Sequence, residues 1–469
     1  MTEATAYRTH TCGSLRKNHV GQTVRLAGWI HARRDHRNVL FLDLRDRYGV
    51  TQVVLSGNTE RTPGRGELHD EDVVRIEGTV AERPQKLVNP HLTTGEVEVQ
   101  ATRVLIVSAA KTPPFEIARE KDVGEDVRLA YRYLDLRRER LRENMLFRDR
   151  FITAIRSFLH DEGFVEVETP ILTKSTPEGA RDYVVPSRLH PGMFYALPQS
   201  PQQYKQLLMV AGFDRYFQIA RCFRDEDQRG DRQPEFTQVD LEMSFVERED
   251  VMALTERLFT TVLAGLGVQI ARMPFPRITY QEAMERYRTD RPDLRTGEEQ
   301  KAGALVLGWV VDFPLFEPEL EDGHYAPSHH MFTAPLPEDI PFLQQDPRKV
   351  RSTQYDLICN GVEVGGGSIR IYDRSLQETV FELVGFGLEQ ARRQFSHLLE
   401  AFEFGVPPHG GIAPGIDRLL MVIRNEPSVR EVIAFPKNQK AEDVLFHAPA
   451  PLDPSQLREL HIRTDFPPA

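Results

Sequence analysis

The stretch CFRDEDQRGDRQPEF (residues 222–236) alternates arginines with carboxylates and closes on Phe236. Apolar segments of strand-like composition flank it, RYFQIARCF (215–223) before it and FTQVDLEMSFV (236–246) after it. Two antiparallel strands joined by a long polar loop would aim Arg224 off a strand end into a cleft. An arginine there can bind phosphate through paired N–H donors. The alternative is a solvated loop held by surface ion pairs, which stabilise little.

Length and composition limit the class of protein. A chain of 469 residues with 40% hydrophobic content suits two or three globular domains. The net charge of -11 argues against a general nucleic-acid coat, which would be strongly basic. No apolar run reaches the length of a membrane span and the first residues lack a signal peptide's apolar region, so we expect a soluble, cytoplasmic protein. Cys12, Cys222 and Cys359 have no zinc-like spacing and are expected to be reduced thiols.

The strand pattern predicts two domains of different construction. Five short alternating segments between residues 22 and 107, punctuated by Gly, Asn and Pro, predict a small β-barrel, a fold that often binds single-stranded nucleic acid. We expect this first domain over residues 1–110, a polar, proline-bearing linker over 111–130 and a second domain over 131–469. Consecutive strands without strict βαβ alternation predict an α+β second domain with a largely antiparallel sheet.

Several elements of the second domain can be placed. Apolar residues at helical spacing predict a helix from Asn144 to His160, and FVEVETPIL (164–172) follows as a predicted strand. Further helices are predicted at REDVMALTERLFTTVLAGLG, LEQARRQFSHLLEAFEFG and GIDRLLMVIRN.

Two glycine-rich stretches could bring backbone close to a ligand. HGGIAPGIDRLLMVI (409–423) is neither a P-loop nor a Rossmann motif, but its helix carries Arg418 near the N-terminus, where anions are favoured. In YDLICNGVEVGGGSIRIY (355–372), Asp356 and Glu363 could share Mg²⁺ ions that bridge nucleotide phosphates, if a turn brings them together. A glycine turn and a glycine bulge with a surface ion pair are the alternatives.

Three more stretches carry polar candidates. TPEGARDY contains Glu178 in a polar loop, and LPQSPQQYKQLLM offers Gln202 and Lys205 at a helix start. SHHMF places His329 beside His330, and the lack of Cys or acidic ligands at metal spacing argues against a zinc site.

Together these stretches resemble the class II aminoacyl-tRNA synthetases, and among them the bacterial aspartyl enzymes, over nearly the whole chain. GFVEVETPIL is similar to motif 1, with Pro170 at the interface of a homodimer, FRDEDQRGDRQPEF to motif 2 and GIAPGIDR to motif 3. TPEGARDY, ALPQSPQQYKQLLM and NGVEVGGGSIRI are similar to the aspartyl enzymes' own pattern. The resemblance implies an N-terminal OB-fold barrel that binds the anticodon, a short hinge, and an antiparallel catalytic sheet flanked by helices.

The resemblance also implies a reaction, the ATP-dependent attachment of L-aspartate to tRNA-Asp through an aspartyl-adenylate, with ATP and Mg²⁺ bound. The positions that match aspartate-binding residues are Glu178, Gln202, Lys205, Arg224, Asp240, His329 and Arg370. The positions that match ATP-binding residues are Arg224, Asp225, Glu226, Gln233, Phe236, Glu363, Gly415, Ile416, Asp417 and Arg418. The implied catalytic residues are Arg224, Glu226 and Arg418, the metal ligands are Asp356 and Glu363, and the anticodon contacts are Arg34, Phe41 and Gln52.

The implied mechanism needs no protein nucleophile. Arg224 would clamp the α-phosphate while Phe236 stacks on adenine and Glu226 brackets adenosine and the tRNA acceptor end. The substrate carboxylate would attack the α-phosphorus in line, so positioning and charge stabilisation would supply the rate.

The chain departs from the bacterial pattern at one place, because the catalytic pattern resumes near residues 295–303 where those enzymes carry an extra domain. Transfer to tRNA-Asn stays open, since His36 resembles the relaxed type and Lys86 the strict type. The alternatives are an asparaginyl or lysyl enzyme, a tRNA-independent asparagine synthetase of this fold, and a non-catalytic RNA-binding relative. The predicted barrel counts against the asparagine synthetase, and the intact motif residues count against the non-catalytic relative. The cations Lys205 and Arg370 count against an asparaginyl or lysyl enzyme.

Overall fold

The computed structural model describes residues 4–36, 39–61, 67–118, 123–175, 179–321 and 323–465. The chain divides into two compact units, Met1–Arg142 and Glu143–Ala469, and the boundary lies inside the helix Glu139–Asp161. The domain limits near residues 110 and 130 stay a prediction.

The first unit contains the predicted closed barrel. Its strands and helices are β1 (Thr23–His36), β2 (Val39–Asp46), β3 (Gly49–Leu55), β4 (Glu60–Arg61), β5 (Val73–Glu82), β6 (Val97–Ser108), α1 (Glu125–Ala130) and α2 (Arg132–Asp135). The strand order is β3-β2-β1-β5-β6, and a further pairing of β3 with β6 closes the barrel. The helix α1 lies within the stretch 111–130 that the sequence predicts as a linker.

Alternation of side chains explains why these segments close into a barrel. Every second residue of β5 is buried between Val74 and Val80, and the buried set joins a core of Val, Leu and Ile that includes Leu26 and Leu44. Since successive side chains of a strand point to opposite faces, an apolar residue at every second position gives one continuous interior face.

The second unit is built on an eight-stranded sheet flanked by helices. The strands of the whole unit are β7 (Val165–Glu166), β8 (Val184–Pro186), β9 (Phe194–Ala196), β10 (Arg215–Phe223), β11 (Glu235–Ser244), β12 (Arg277–Thr279), β13 (Leu307–Val311), β14 (Phe316–Glu321), β15 (His324–Pro327), β16 (Tyr355–Cys359), β17 (Val362–Ile369) and β18 (His409–Ile412). The pairs β8–β9 and β14–β15 lie outside the main sheet. Its helices are α3 (Glu139–Asp161), α4 (Gln202–Val210), α5 (Arg248–Gly265), α6 (Tyr280–Tyr287), α7 (Gly297–Lys301), α8 (Phe342–Gln345), α9 (Arg374–Leu383), α10 (Leu388–Ala401), α11 (Ile416–Ile423) and α12 (Pro454–Glu459).

The main sheet has the order β12-β13-β16-β17-β18-β11-β10-β7, and only its outermost pairs, β12–β13 and β10–β7, are parallel. The prediction of a largely antiparallel α+β domain is therefore confirmed. Helices α3, α5 and α11 cover the sheet with buried residues such as Phe151, Leu258 and Leu420. Burying one such side chain stabilises the fold by roughly 1.5–3 kcal/mol.

The predicted hairpin around the charged loop is present. β10 and β11 pair antiparallel from Arg215 opposite Met243 to Phe223 opposite Glu235, so the loop of residues 224–234 leaves the sheet at one end. The helix predicted from Asn144 to His160 lies within α3, which starts at Glu139 and ends at Asp161.

The predicted strand 164–172 is much shorter than the sequence pattern indicates. Only Val165 and Glu166 pair, in parallel with β10 at the edge of the sheet. Pro170 has no N–H to donate to a ladder, and the segment leaves β10 after Glu166 although β10 itself continues to Phe223.

Within the described ranges, no helix is long and apolar enough to cross a membrane. Cys12, Cys222 and Cys359 are buried thiols outside any disulfide. Burial raises the pKa of Cys359 to about 12, so this thiol is protonated at neutral pH.

Candidate active site

A cavity of about 280 Å³ lies in the second unit where the charged loop, the glycine strand β17 and the start of α11 meet. The residues of the sequence analysis that line it are Gln202, Lys205, Arg224, Glu226, Gln233, Phe236, Asp240, His329, Glu363, Arg370, Gly415, Asp417 and Arg418. They come from segments separated by up to about two hundred residues, so the fold assembles what the motifs predicted separately.

Arg224 is the first residue after β10 and is held over an aromatic ring. Its backbone N–H donates to the Pro234 carbonyl at 2.9 Å, which fixes the base of the loop. Its guanidinium carbon lies 5.2 Å from the centre of the Phe236 ring, a cation–π arrangement. The Arg224 Nε is buried and has no hydrogen-bond partner in the described part of the chain. A buried unpaired donor costs free energy unless a ligand accepts from it, so this atom points to an anionic ligand.

The other residues of the loop differ in what they can contact. Glu226 accepts from Arg232 at 3.1 Å on the cavity wall. Gln233 binds the backbone of Lys437 at both its amide atoms, at 2.8 and 3.1 Å, and so ties the loop to the C-terminal segment. Asp225 is exposed, faces Arg181 at 4.0 Å and does not line the cavity.

Arg418, at the start of α11, spans the opposite wall. Its guanidinium donates to the Glu363 carbonyl at 3.2 Å and lies 3.6 Å from Asp231 of the charged loop. Asp417 accepts from the Thr237 backbone at 2.9 Å, so its carboxylate is already engaged in fixing β11. Ile416 is fully buried in the core, which leaves only its backbone to contact a ligand.

Four charges lie at the buried end of the cavity and neutralise one another. Lys205 Nζ donates to Asp240 Oδ1 at 2.7 Å and lies 3.4 Å from Glu242 Oε2. Arg370 forms a bidentate pair with Glu242, at 2.9 and 3.0 Å. All four side chains are at most 2% exposed, so their interactions are little screened by solvent.

Burial and charge set the protonation of this cluster. Burial raises the pKa of Asp240, although the Lys205 ammonium opposes the shift. Burial also opposes ionisation of Glu242, but the Arg370 and Lys205 charges outweigh it and lower the pKa of Glu242. Glu242 is therefore the fixed anion of the cluster.

Arg370 is saturated by protein partners, whereas Lys205 is not. The guanidinium donates to Glu242 twice, to Ser368 at 2.6 Å, to the Gly411 carbonyl at 3.4 Å and to His330 at 3.0 Å. Lys205 has three donors, and one has no partner among the residues that the structure describes. A carboxylate entering the cavity can therefore accept from Lys205 directly and from Arg370 in place of Ser368 or His330.

The pKa values of the two adjacent histidines are shifted in opposite directions. His330 must accept from Arg370, which only donates, and burial together with the Arg370 and Lys205 charges holds the pKa of His330 well below its usual range. His329 lies 3.5 Å from Asp356. Although burial opposes protonation, the Asp356 carboxylate raises the pKa of His329.

Asp356 and Glu363, the predicted metal pair, lie on neighbouring strands β16 and β17. Glu363 faces the cavity, whereas Asp356 is 5% exposed and lies behind it. Burial in the cleft and the Asp356 charge raise the pKa of Glu363, although the Arg418 guanidinium, 3.4 Å from the Glu363 carboxylate, opposes the shift. Carboxylate oxygens are ligands that Mg²⁺ prefers. No cluster of three or more His, Cys, Asp or Glu that could hold a metal occurs in the described ranges, so phosphate and water oxygens would have to complete the shell.

Sequence reasoning gave no role to several residues of this site, among them Glu242, His330 and Gln354. Glu242 and Gln354 each lie two residues from a predicted site residue, Asp240 and Asp356, and the period of a strand puts such neighbours on one face. That signal was available. Glu178 lies outside the described residues, so its prediction stays a prediction.

The predicted anticodon contacts share one face of the barrel in the first unit. Arg34 lies opposite Phe41 across the β1–β2 pair. Arg34 also donates to Asp43 at 2.7 and 2.8 Å and to Gln52 at 3.2 Å. His36 is exposed at the end of β1, and Lys86 is exposed in a short turn after β5.

Comparison with known families agrees with this geometry. The family described as "tRNA synthetases class II (D, K and N)" matches residues 124–439, and the family described as "OB-fold nucleic acid binding domain" matches residues 24–107. The chain therefore belongs to the class II tRNA synthetases of the D, K and N group and carries an OB-fold barrel.

Within that group, the similar proteins are aspartate enzymes. An aspartate-tRNA(Asp/Asn) ligase of Rubrobacter xylanophilus is 46% identical over 597 residues, which cover all of this chain and 98% of that protein. An aspartate-tRNA ligase of Geobacillus kaustophilus is 43% identical over 98% of this chain and 99% of that protein. Both alignments are longer than the 469 residues of this chain, in agreement with the missing domain. Near residues 295–303 the structure has the short helix α7, capped by Thr296.

Solved structures share the fold at lower identity. An asparaginyl-tRNA synthetase from Pyrococcus horikoshii, complexed with asparaginyl-adenylate, has a TM-score of 0.73 at 22% identity and covers 97% of this chain and 100% of that chain. An aspartyl-tRNA synthetase from Entamoeba histolytica has a TM-score of 0.70 at 23% identity over 90% of each chain. At these identities the likeness concerns the fold alone.

Proposed function

We propose that this protein activates L-aspartate with ATP and transfers it to tRNA-Asp. The observation that carries the proposal is the pair of buried cations, Lys205 and Arg370, at the closed end of the cavity. Such cations favour a carboxylate side chain, because Lys205 keeps one donor without a partner among the described residues and an ammonium in the same place would be repelled. The aspartate ligases among the relatives support the same choice.

The chemistry we propose is in-line displacement at the α-phosphorus of ATP. Lys205 and Arg370 anchor the side-chain carboxylate of aspartate, so that its α-carboxylate points towards Arg224. The Arg224 Nε, which lacks a partner in the described chain, supplies a hydrogen bond to the α-phosphate and stabilises the charge that develops there. Phe236 and Arg418 bound the space for adenine, and Glu226 borders the path to the tRNA acceptor end. Positioning supplies most of the rate.

We propose that Mg²⁺ is held by Glu363 at the cavity wall and by Asp356 behind it. When bound, the ion would neutralise phosphate charge and help pyrophosphate leave. The placement of the two carboxylates on the paired strands β16 and β17 supports this, because a bound cation would reduce the repulsion between them.

We propose further that the barrel face around Arg34, Phe41 and Gln52 binds the anticodon. tRNA-Asn is proposed as a second acceptor, because His36 resembles the relaxed type and the Rubrobacter relative is named for both tRNAs.

We also propose a homodimer through the motif 1 region around Pro170, acting in the cytoplasm. Val165, Ile171 and Leu172 leave 47%, 40% and 53% of their surface exposed there, an apolar patch of the kind that marks protein interfaces.

ATP–pyrophosphate exchange with aspartate, asparagine and lysine tests the proposal. We expect exchange with aspartate, and we expect Arg224→Ala to lower it by roughly 10²–10³-fold. The matched control is Arg229→Ala on the same loop, an exposed arginine that should stay within a few-fold of the wild type. Exchange at near wild-type rate in Arg224→Ala, or a preference for asparagine or lysine, would overturn the proposal.

A further inference from the structure

Gln354 precedes β16 and lines the cavity with its side chain almost wholly buried, at 3% exposure. Its amide Nε2 donates to Asp356 Oδ1 at 2.7 Å. The Asp356 carboxylate only accepts, so this bond also fixes which end of the amide faces it. The other end, Oε1, is buried with no hydrogen-bond partner among the described residues. A buried, unpaired carbonyl costs free energy, so this side chain is not optimised for stability.

The surroundings of the two side chains leave little freedom. A Cβ on Gly366 would come within 3.0 Å of Asp356 Oδ1 and 3.1 Å of Gln354 Nε2. The glycine of the opposite strand thus provides the space in which the amide and the carboxylate lie together. On the other side, Asp356 Oδ2 faces His329 Nε2 at 3.5 Å, longer than a hydrogen bond between well-aligned groups.

In this arrangement the two oxygens of Asp356 have different partners. Oδ1 is engaged by Gln354, and Oδ2, which faces His329 at 3.5 Å, is the oxygen that a cation can use. A carboxylate without the amide could rotate about its χ2 torsion, which is broad and roughly two-fold. Hydrogen bonds from such outer partners orient metal ligands, and their loss typically weakens metal binding by roughly 10- to 100-fold.

We propose that Gln354 is a positioning residue for magnesium, which holds Asp356 Oδ1 so that Oδ2 is presented to the ion beside Glu363. This inference rests on the proposed function of the same cavity. It assigns a role to a residue that touches neither aspartate nor nucleotide in the mechanism above.

Two measurements on Gln354→Met test it. This change keeps the length and volume of the side chain but removes the donor. The first measurement is Mn²⁺ binding in the presence of ATP and the absence of aspartate, detected as the loss of the EPR signal of the free ion. The affinity should weaken by roughly 10- to 100-fold. The Mg²⁺ concentration that gives half-maximal pyrophosphate exchange should rise by a similar factor, while kcat at saturating Mg²⁺ stays within a few-fold of the wild type.

The matched control is Gln377→Met in α9. Gln377 is also fully buried, donates to the Met331 carbonyl at 2.9 Å and has an Oε1 without a partner in the described part of the chain, but it lies outside the cavity. It should leave Mn²⁺ binding and the Mg²⁺ requirement unchanged. If Gln354→Met does not fold, Gln354→Asn takes its place, because its amide is one methylene short of Asp356.

The outcomes separate this inference from the proposed function. A wild type that exchanges pyrophosphate with aspartate, with a folded Gln354 variant of unchanged or lower Mg²⁺ requirement, would overturn the role of Gln354 alone. A loss of kcat at saturating Mg²⁺ with unchanged Mn²⁺ binding would also overturn it. A wild type without aspartate-dependent exchange would overturn the proposed function instead.

Discussion

Replacing Lys205 by Met should lower kcat/KM for aspartate more than kcat/KM for asparagine. Lys205 is 1% exposed, and one of its three donors is without a partner in the described chain. A hydrogen bond from a charged group contributes about 1.5–3 kcal/mol, which corresponds to about 10- to 150-fold in affinity. We expect kcat/KM for aspartate in pyrophosphate exchange to fall by that factor. The value for asparagine should change much less, because its amide carries no charge.

The same change should also lower the free energy of unfolding, independently of its effect on aspartate binding. Without Lys205, Asp240 has no cation within hydrogen-bond reach among the described residues, and removing one partner of a buried pair costs about 3–5 kcal/mol. Thermal unfolding should show this loss, and exchange is measured well below the lowered Tm.

The control is Lys437→Met, since Lys437 also pairs with two carboxylates, Glu235 and Asp443, but does not line the cavity. It should lower stability without changing the ratio of kcat/KM between aspartate and asparagine. Equal losses for both amino acids in Lys205→Met, or an unchanged ratio, would refute the role assigned to Lys205.

The remaining predictions concern the barrel, acid stability and packing. Phe41→Ala should raise KM for tRNA-Asp about 5- to 150-fold, because one base stack contributes about 1–3 kcal/mol, and pyrophosphate exchange should not change; parallel losses in both assays would contradict this. The hydrogen bond from Arg272 lowers the pKa of Glu299 to about 2. This stability is present above about pH 4.5 and lost as the pH falls towards about 2, so the Tm deficit of Glu299→Gln should shrink over that window rather than stay constant. Gly411→Ala would drive a methyl group into a β11 carbonyl and the Glu242 carboxylate, so Tm and aspartate affinity should both fall, and wild-type values for either would count against the packing described.

Local pattern predicted the elements of this fold because each signal lies within one segment. The alternation in RYFQIARCF and the return segment placed β10 and β11, and helical spacing placed most of α3. The same reasoning overextended the strand 164–172, because alternation continues through FVEVETPIL while its pairing with β10 stops at Glu166 and Pro170 has no N–H to donate. Pairing depends on what lies beside a strand, and a single segment does not contain that information.

The site was predictable where a motif carried it and not where distant contacts define it. Arg224, Lys205 and Arg370 were placed by resemblance, and the cavity brings them together. Glu242 reads as an ordinary strand residue, and its partner Arg370 lies 128 positions away. Only the burial of Glu242 shows its role, since an isolated buried carboxylate would be costly and this one is held by two cations.

The most direct test of the account is charging with labelled aspartate on separately purified tRNA-Asp and tRNA-Asn. We expect aspartate on tRNA-Asp, and on tRNA-Asn as well if the barrel reads both anticodons as proposed. Aspartate on tRNA-Asp alone would contradict only the second acceptor and define a strict enzyme. Transfer to neither tRNA, with intact pyrophosphate exchange, would contradict the central claim that this protein transfers aspartate to tRNA-Asp.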